Sequence, residues 1–375
     1  MPPARACRER PTARACRERP TARACRGRQP SIGSPRAARK AAATTREVPI
    51  RTLLLLAGGA LLLLLITPAR FVPRRLDAAP ALAEPDSARI MADVRALAAF
   101  PTRFAASAET PAVLDWLRAA IAARGLEPRE QRFPLQVGTV DTEQVNLYAL
   151  HPGRDLRKPW LLLIAHYDTV NEGWGHEASS LEDPESPAPG ADDNATGVAV
   201  LLEVMRLLSP DDNARNVVFL FSAAEEMGQR GASQWATLPL AGPGSLGWVL
   251  NVDQVGATRQ APRALQLFSR GPGLTFLDHI RELGRRGAPE ILGWRLHPQD
   301  RIAKSDHGPF LARGLAAVSL SELSGVYRFR DQGAGDLPEL LDPVMLNACA
   351  RLVLSVATDP WPPPPAPATP DPAPR

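Results

Sequence analysis

Between residues 86 and 358 the chain alternates two hydrophobic rhythms. Short, predominantly apolar runs at Trp160–Ala165, Val217–Phe221, Trp248–Val252 and Ala316–Leu320 read as strands. Gly197–Leu208 and Pro343–Ala357 space their apolar residues as helices do, and a short helix follows Gly231. Ahead of them, Asp86 or Ser87 caps a helix running to Ala98, and Thr110-Pro111 opens another that stops at Gly125. Extended stretches fall around Glu130–Phe133 and Gln144–Leu150. Strands alternating with helices in this way predict an α/β sheet covered by helices. The domain predicted from this pattern spans residues 86–358.

The flanks carry different patterns. Residues 4–28 repeat a nine-residue unit, Ala-Arg-Ala-Cys-Arg-Glu-Arg-Pro-Thr, which has no apolar face and is too short for a solenoid element. Residues 1–51 read as a disordered basic tail. Leu53–Ile66 is an apolar run of 14 residues flanked by Arg51 and Arg70. A membrane-spanning helix needs about 20 apolar residues. Residues 52–69 therefore fit a signal-peptide core, with Thr67-Pro68-Ala69 as a small-residue cleavage site, or a short uncleaved membrane anchor. The basic excess before the run keeps the N-terminus cytoplasmic and predicts export of the rest. Residues 70–85 form a linker, and the Pro/Ala-rich residues 359–375 a disordered tail.

Charge sharpens this division. Residues 1–51 hold 14 Lys/Arg against 3 Asp/Glu, which leaves 30 against 37 for the remainder of a chain whose formal net charge is +4. The folded part is thus mildly acidic and offers no basic face for nucleic acid. The four cysteines build no disulfide framework: Cys7, Cys16 and Cys25 belong to the repeat, and Cys349 lies in a helical pattern as a small core residue.

The candidate chemistry sits where the apolar runs end. His166 and Asp168 follow the first run, two apart and so on one face of an extended chain. Asp168 is placed to orient the imidazole, as a carboxylate beside a metal-binding His does. Asp192 and Asp193 lie in a glycine-rich loop before a helix, where they serve either as a cap with Asn194 or, for Asp193, as a ligand. Glu225 and Glu226 follow the second run. Neighbouring side chains diverge, so one carboxylate can hold metal while the other takes a proton from water. Asp253 closes the third run, where a charge is costly unless paired or ligated. In open α/β sheets the ligand crevice lies at the carboxyl ends of the strands. Four such coincidences mixing imidazole with carboxylates point to a hydrolytic metal centre.

These stretches, in this order, resemble the zinc-dependent exopeptidases of the bacterial leucyl aminopeptidase type, a superfamily that includes glutamate carboxypeptidases and glutaminyl cyclases. The resemblance rests on Ala165-His-Tyr-Asp168, Gly190-Ala-Asp-Asp-Asn-Ala-Thr-Gly197, Ala223-Ala-Glu-Glu-Met-Gly-Gln-Arg-Gly231, Asn251-Val-Asp253 and Ser305-Asp-His-Gly-Pro-Phe310. It implies a doubly wound fold, with a mostly parallel central sheet and helices on both faces, holding two zinc ions and acting on peptide substrates. Carried over, Asp193 bridges both metals, His166 and Asp253 complete one, and Glu226 serves the other. Glu225 becomes the general base and Asp168 the orienting residue.

One position departs from that pattern. The family takes its last zinc ligand from a His in a Tyr-His-Thr-x-x-Asp-Thr-Pro stretch. Here the corresponding stretch is Asp331-Gln332-Gly333-Ala334-Gly335-Asp336-Leu337-Pro338, which puts Gln332 at the His position. An amide oxygen is poorly suited to zinc beside imidazole and carboxylate. Three readings stand open: His307 replaces the missing ligand, the second zinc is lost and one remains, or the chain keeps the fold as a membrane-tethered binding domain. A glutaminyl-cyclase-like acyltransferase is the alternative enzyme, on Asp306–Phe310 and Asp253-Gln-Val-Gly-Ala257.

Overall fold

The computed structural model describes residues 83–173, 178–209, 215–241, 245–256, 262–300, 304–323 and 333–360. The basic repeat, the apolar run, the tail beyond residue 360 and Gln332 lie outside the described residues. In chain order come helices α1 (Ser87–Ala98) and α2 (Thr110–Ala123), strands β1 (Arg129–Val137), β2 (Val140–His151) and β3 (Trp160–His166), and helix α3 (Gly197–Leu207). Strand β4 (Asn216–Ser222), helix α4 (Arg230–Trp235), strands β5 (Leu246–Val252) and β6 (Ala264–Phe268) and helix α5 (Leu274–Gly287) follow. Strand β7 (Gly293–His297), helix α6 (Gly308–Ala312), strand β8 (Ala317–Glu322) and helix α7 (Pro343–Thr358) complete the order.

Local signals set the helix starts. The Asp86 carboxylate accepts the Ala88 N–H at 2.9 Å, and Asp342 caps α7 through the Val344 N–H at 3.0 Å. Pro111 and Pro343 stand in the first turns of α2 and α7, where a missing N–H costs nothing.

The strands form one sheet in the order β1-β2-β4-β3-β5-β8-β6-β7. The β4-β3-β5-β8 centre is parallel, as is β6-β7, whereas β1-β2, β2-β4 and β6-β8 are antiparallel. The expected α/β architecture is therefore present, with antiparallel pairings on both sides of the parallel centre. Successive side chains of β3 go to opposite layers, as the period of two requires. Leu161, Leu163 and Ala165 join the core with α1, α3 and α7, while Leu162 and Ile164 join Trp235 and Phe310 of α4 and α6 on the other face. Burial on both faces explains why β3 and β4 read as continuous apolar runs and why β5 is broken only near its end, by Asn251. Among the described residues, no helix is long and apolar enough to cross a membrane.

Candidate metal centre

The chain leaves β3 for β4 on one side and then returns across it to β5 on the other. Such a reversal opens a crevice at the carboxyl ends of the strands. His166 is the last residue of β3, Glu225 and Glu226 lie just beyond β4, and Asp253 follows β5 directly. Asp193 comes from the turn Ala191–Thr196, which opens α3.

These elements bring the predicted residues together. His166, Asp193 and Glu226 each offer a ligand atom, and the three atoms lie within 4.8 Å of one another. His166 Nε2 is 3.2 Å from Asp193 Oδ1 and 3.3 Å from Asp253 Oδ1. Its Nδ1 lies 3.2 Å from the Asp168 carbonyl oxygen and 3.7 Å from Asp168 Oδ1. The Asp168 carboxylate is engaged elsewhere: it accepts the backbone N–H of Glu225 at 3.0 Å and of Glu226 at 3.2 Å. Its closest work is thus to hold the two-glutamate segment, and its main-chain oxygen faces the imidazole. His307 Nε2 meets Asp300 Oδ2 at 2.7 Å, so that nitrogen is committed away from the trio.

The Asp193 turn is held from three sides. Asp336 accepts the N–H groups of Asp192 and Asp193 at 2.9 Å. Arg103, 2% exposed, donates to the carbonyls of Tyr167 at 2.7 Å, Gly190 at 2.9 Å and Leu97 at 3.2 Å, and to that of Pro189. Gly190 has φ +54°, and a Cβ there would meet Thr169 Cγ2 at 2.2 Å and the Asp193 carbonyl oxygen at 2.3 Å. Only glycine meets both demands. The Asp193–Asn194 peptide is cis.

Charge in this pocket is unbalanced. Burial pushes the Glu225 carboxyl well up; His166 opposes this, and Asp306, Asp253 and Asp168 add to it. Burial, then Asp193 and Glu225, push Glu226 well up too. Burial alone would lower the His166 imidazole, but Asp253 and Asp193 hold it well above its ordinary value. Burial also raises Asp306 and Asp336 to about 7. Carboxylates gathered out of water around a single imidazole call for a cation, and oxygen donors with one imidazole nitrogen form a set that suits zinc. The residues therefore fit the implied metal.

Three contributors carry no role in the sequence reading. Asp306 accepts from Ser222 Oγ beneath the glutamates, Arg103 clamps the turn, and Gln254 Nε2 donates to Asp193 Oδ2 at 2.5 Å. Asp306 lies inside a motif the resemblance uses. Gln254 lies in the Asp253-Gln-Val-Gly-Ala257 stretch quoted for the acyltransferase alternative, whereas Arg103 has no spacing that marks it.

A profile of peptidase family M28 matches residues 146–357. A probable zinc metalloprotease of Pyrenophora tritici-repentis is 27% identical over 274 residues, 64% of this chain and 59% of the relative. A probable leucine aminopeptidase of Arthroderma otae is 29% identical over 167 residues, 41% of this chain and 40% of that one. The chain thus spans less than two thirds of the length of these curated relatives. Among solved structures, a Zn-dependent exopeptidase from Parabacteroides distasonis superposes with a TM-score of 0.61 at 19% identity, covering 74% of this chain and all of the other. A glutaminyl cyclase from Porphyromonas gingivalis gives 0.60 at 18% identity, covering 72% and 98%. These two likenesses establish the shared fold.

Proposed function

Because the chain belongs to peptidase family M28, we propose that it is a zinc-dependent exopeptidase that removes N-terminal residues from peptides. The observation that carries this reading is the convergence of His166, Asp193 and Glu226 at the sheet's switch point, with Glu225 buried beside them. His166, Asp193, Glu226 and Asp253 would hold the metal. Zinc bound there supplies a Lewis acid and brings the pKa of water toward neutrality.

The remaining work belongs to the chain's own side chains. Glu225 takes the proton from the attacking water and returns it to the departing amine. Burial raises its carboxyl, which favours its picking up the proton that it must then deliver. Gln229 Nε2 steadies Glu225 Oε1 from 3.2 Å, and Asp168 fixes the backbone of both glutamates, so that one carboxylate faces metal and the other faces substrate. His307, bonded to Asp300, keeps a structural part in this scheme.

The export expected from Leu53–Ile66 belongs to the same proposal, with peptides outside the cytoplasm as substrates and the segment as leader or anchor. A glutaminyl-cyclase-like acyl transfer is the second reading, on the likeness to a glutaminyl cyclase at a TM-score of 0.60. A peptide panel separates the two. Release of N-terminal residues is expected, with no cyclisation of an N-terminal Gln. Glu225→Gln should lower the rate by roughly 10²- to 10⁴-fold while zinc content stays that of the parent. Cyclisation without hydrolysis would transfer the proposal to the second reading, and an unimpaired Glu225→Gln enzyme would remove Glu225 from its role.

A further inference from the structure

The outer oxygens of the two aspartates bear on how many metals the centre takes. Asp193 and Asp253 both turn Oδ1 toward His166 Nε2, at 3.2 and 3.3 Å. Their other oxygens already have donors. Ser305 Oγ donates to Asp253 Oδ2 at 2.5 Å and accepts from Asn251 Nδ2 at 2.6 Å. Gln254 Nε2 donates to Asp193 Oδ2 at 2.5 Å.

The Gln254 contact is built into the backbone. Gln254 has φ +53°, a conformation that costs free energy for a side-chain-bearing residue and persists only where its surroundings impose it. Its N–H goes to Asn194 Oδ1 at 3.2 Å, and its carbonyl accepts the Glu322 N–H at 2.8 Å. The residue is thereby pinned between the Asp193 turn and β8, and its amide is aimed at Asp193. An N–H donor on a carboxylate oxygen competes with a cation for the same lone pairs, and a hydrogen bond to a charged acceptor is a strong one.

We infer that this chain holds a single zinc ion, at His166, Glu226 and the inner oxygens of Asp193 and Asp253, and that the Gln254 amide takes the place a second ion would need on Asp193. The inference rests on the metallopeptidase reading and narrows it: Asp193 is a ligand through Oδ1 and not a bridge. Gln332 at the expected position of the late His is in keeping with it.

Zinc counting tests this directly. The full-length chain, saturated with zinc and then freed of excess by gel filtration, is analysed for metal and protein. Retention of one equivalent is expected. Gln254→Met, which keeps the length and loses the donor, should retain the first equivalent and bind a second about tenfold or more tighter than the parent, read by chelator competition. Circular dichroism checks its fold. If that variant does not fold, zinc-edge anomalous scattering from crystals of the parent decides, with one peak expected. Two ions in the parent would overturn the inference and leave the peptidase reading standing. So would a second equivalent unchanged in Gln254→Met. A parent that binds no zinc would remove both.

Discussion

Asp306 and Asp336 show how single residues carry the acid-base character of the site. Each is fully buried, and burial raises each carboxyl from 3.8 to about 7. Between those limits the folded chain keeps a proton that the unfolded chain has already lost. Stability of the metal-free protein should therefore fall as pH rises from about 4 to about 7, by a few kcal/mol for each group, and level off above. Urea midpoints across that range measure the slope, and Asp306→Asn should make it shallower. A flat profile in the parent would show that these carboxyls ionise as freely as exposed ones. Metal reverses the trend, because its ligands must be deprotonated to bind.

At the scale of elements, the decisive piece is the turn between β3 and α3. Gly190 allows it to close and Asp336 caps its N–H groups, while Arg103 gathers the carbonyls on either side. Gly190→Ala places a methyl group where Thr169 and the Asp193 carbonyl already stand. The expected cost is about 2 kcal/mol or more in stability, with weaker zinc binding because Asp193 must move. Thermal melts with and without zinc test it; a variant with the parent's melting temperature and zinc response would show that the turn relaxes freely. The same scale explains what the hydrophobic pattern left unmarked. Helix α5 buries Phe276, Leu277, Ile280 and Gly284 on one stripe, but Gly273 precedes it with no side-chain cap. Strands β6 and β7 are five residues each, and every residue of β7 is at least partly exposed, so no long apolar run announces them.

Across the whole molecule, the layers fix the crevice and the metal completes it. Chelation of zinc should lower the melting temperature, and zinc at a hundredfold excess over its Kd should restore about 2.7 kcal/mol. Melting that ignores both would mean that the carboxylates need no cation. Export is the other proposal that concerns the entire chain. An alkaline phosphatase reporter fused after residue 86 should be active in a bacterial host and inactive once Leu53–Ile66 is deleted. Activity unaffected by the deletion would break the link to that segment.

Much of this protein was legible in its sequence. Apolar runs buried in the sheet marked β3, β4, β5 and β8, and the ionisable residues at or just beyond the ends of β3, β4 and β5 made His166, Glu225, Glu226 and Asp253 candidates, because a charge is costly inside a strand covered on both faces. The Gly-Ala-Asp-Asp motif similarly pointed to Asp193. Tertiary structure decided the rest. Whether Asp168 addresses an imidazole or a neighbouring backbone, and whether His307 turns to the metal or to Asp300, depends on distances between strands that are far apart in the chain. Arg103 meets Tyr167, and Gln254 meets Asp193, across 64 and 61 positions of chain, contacts that only the folded structure creates. A local pattern records which face a side chain takes; the partner waiting on that face is set by the packing of the sheet.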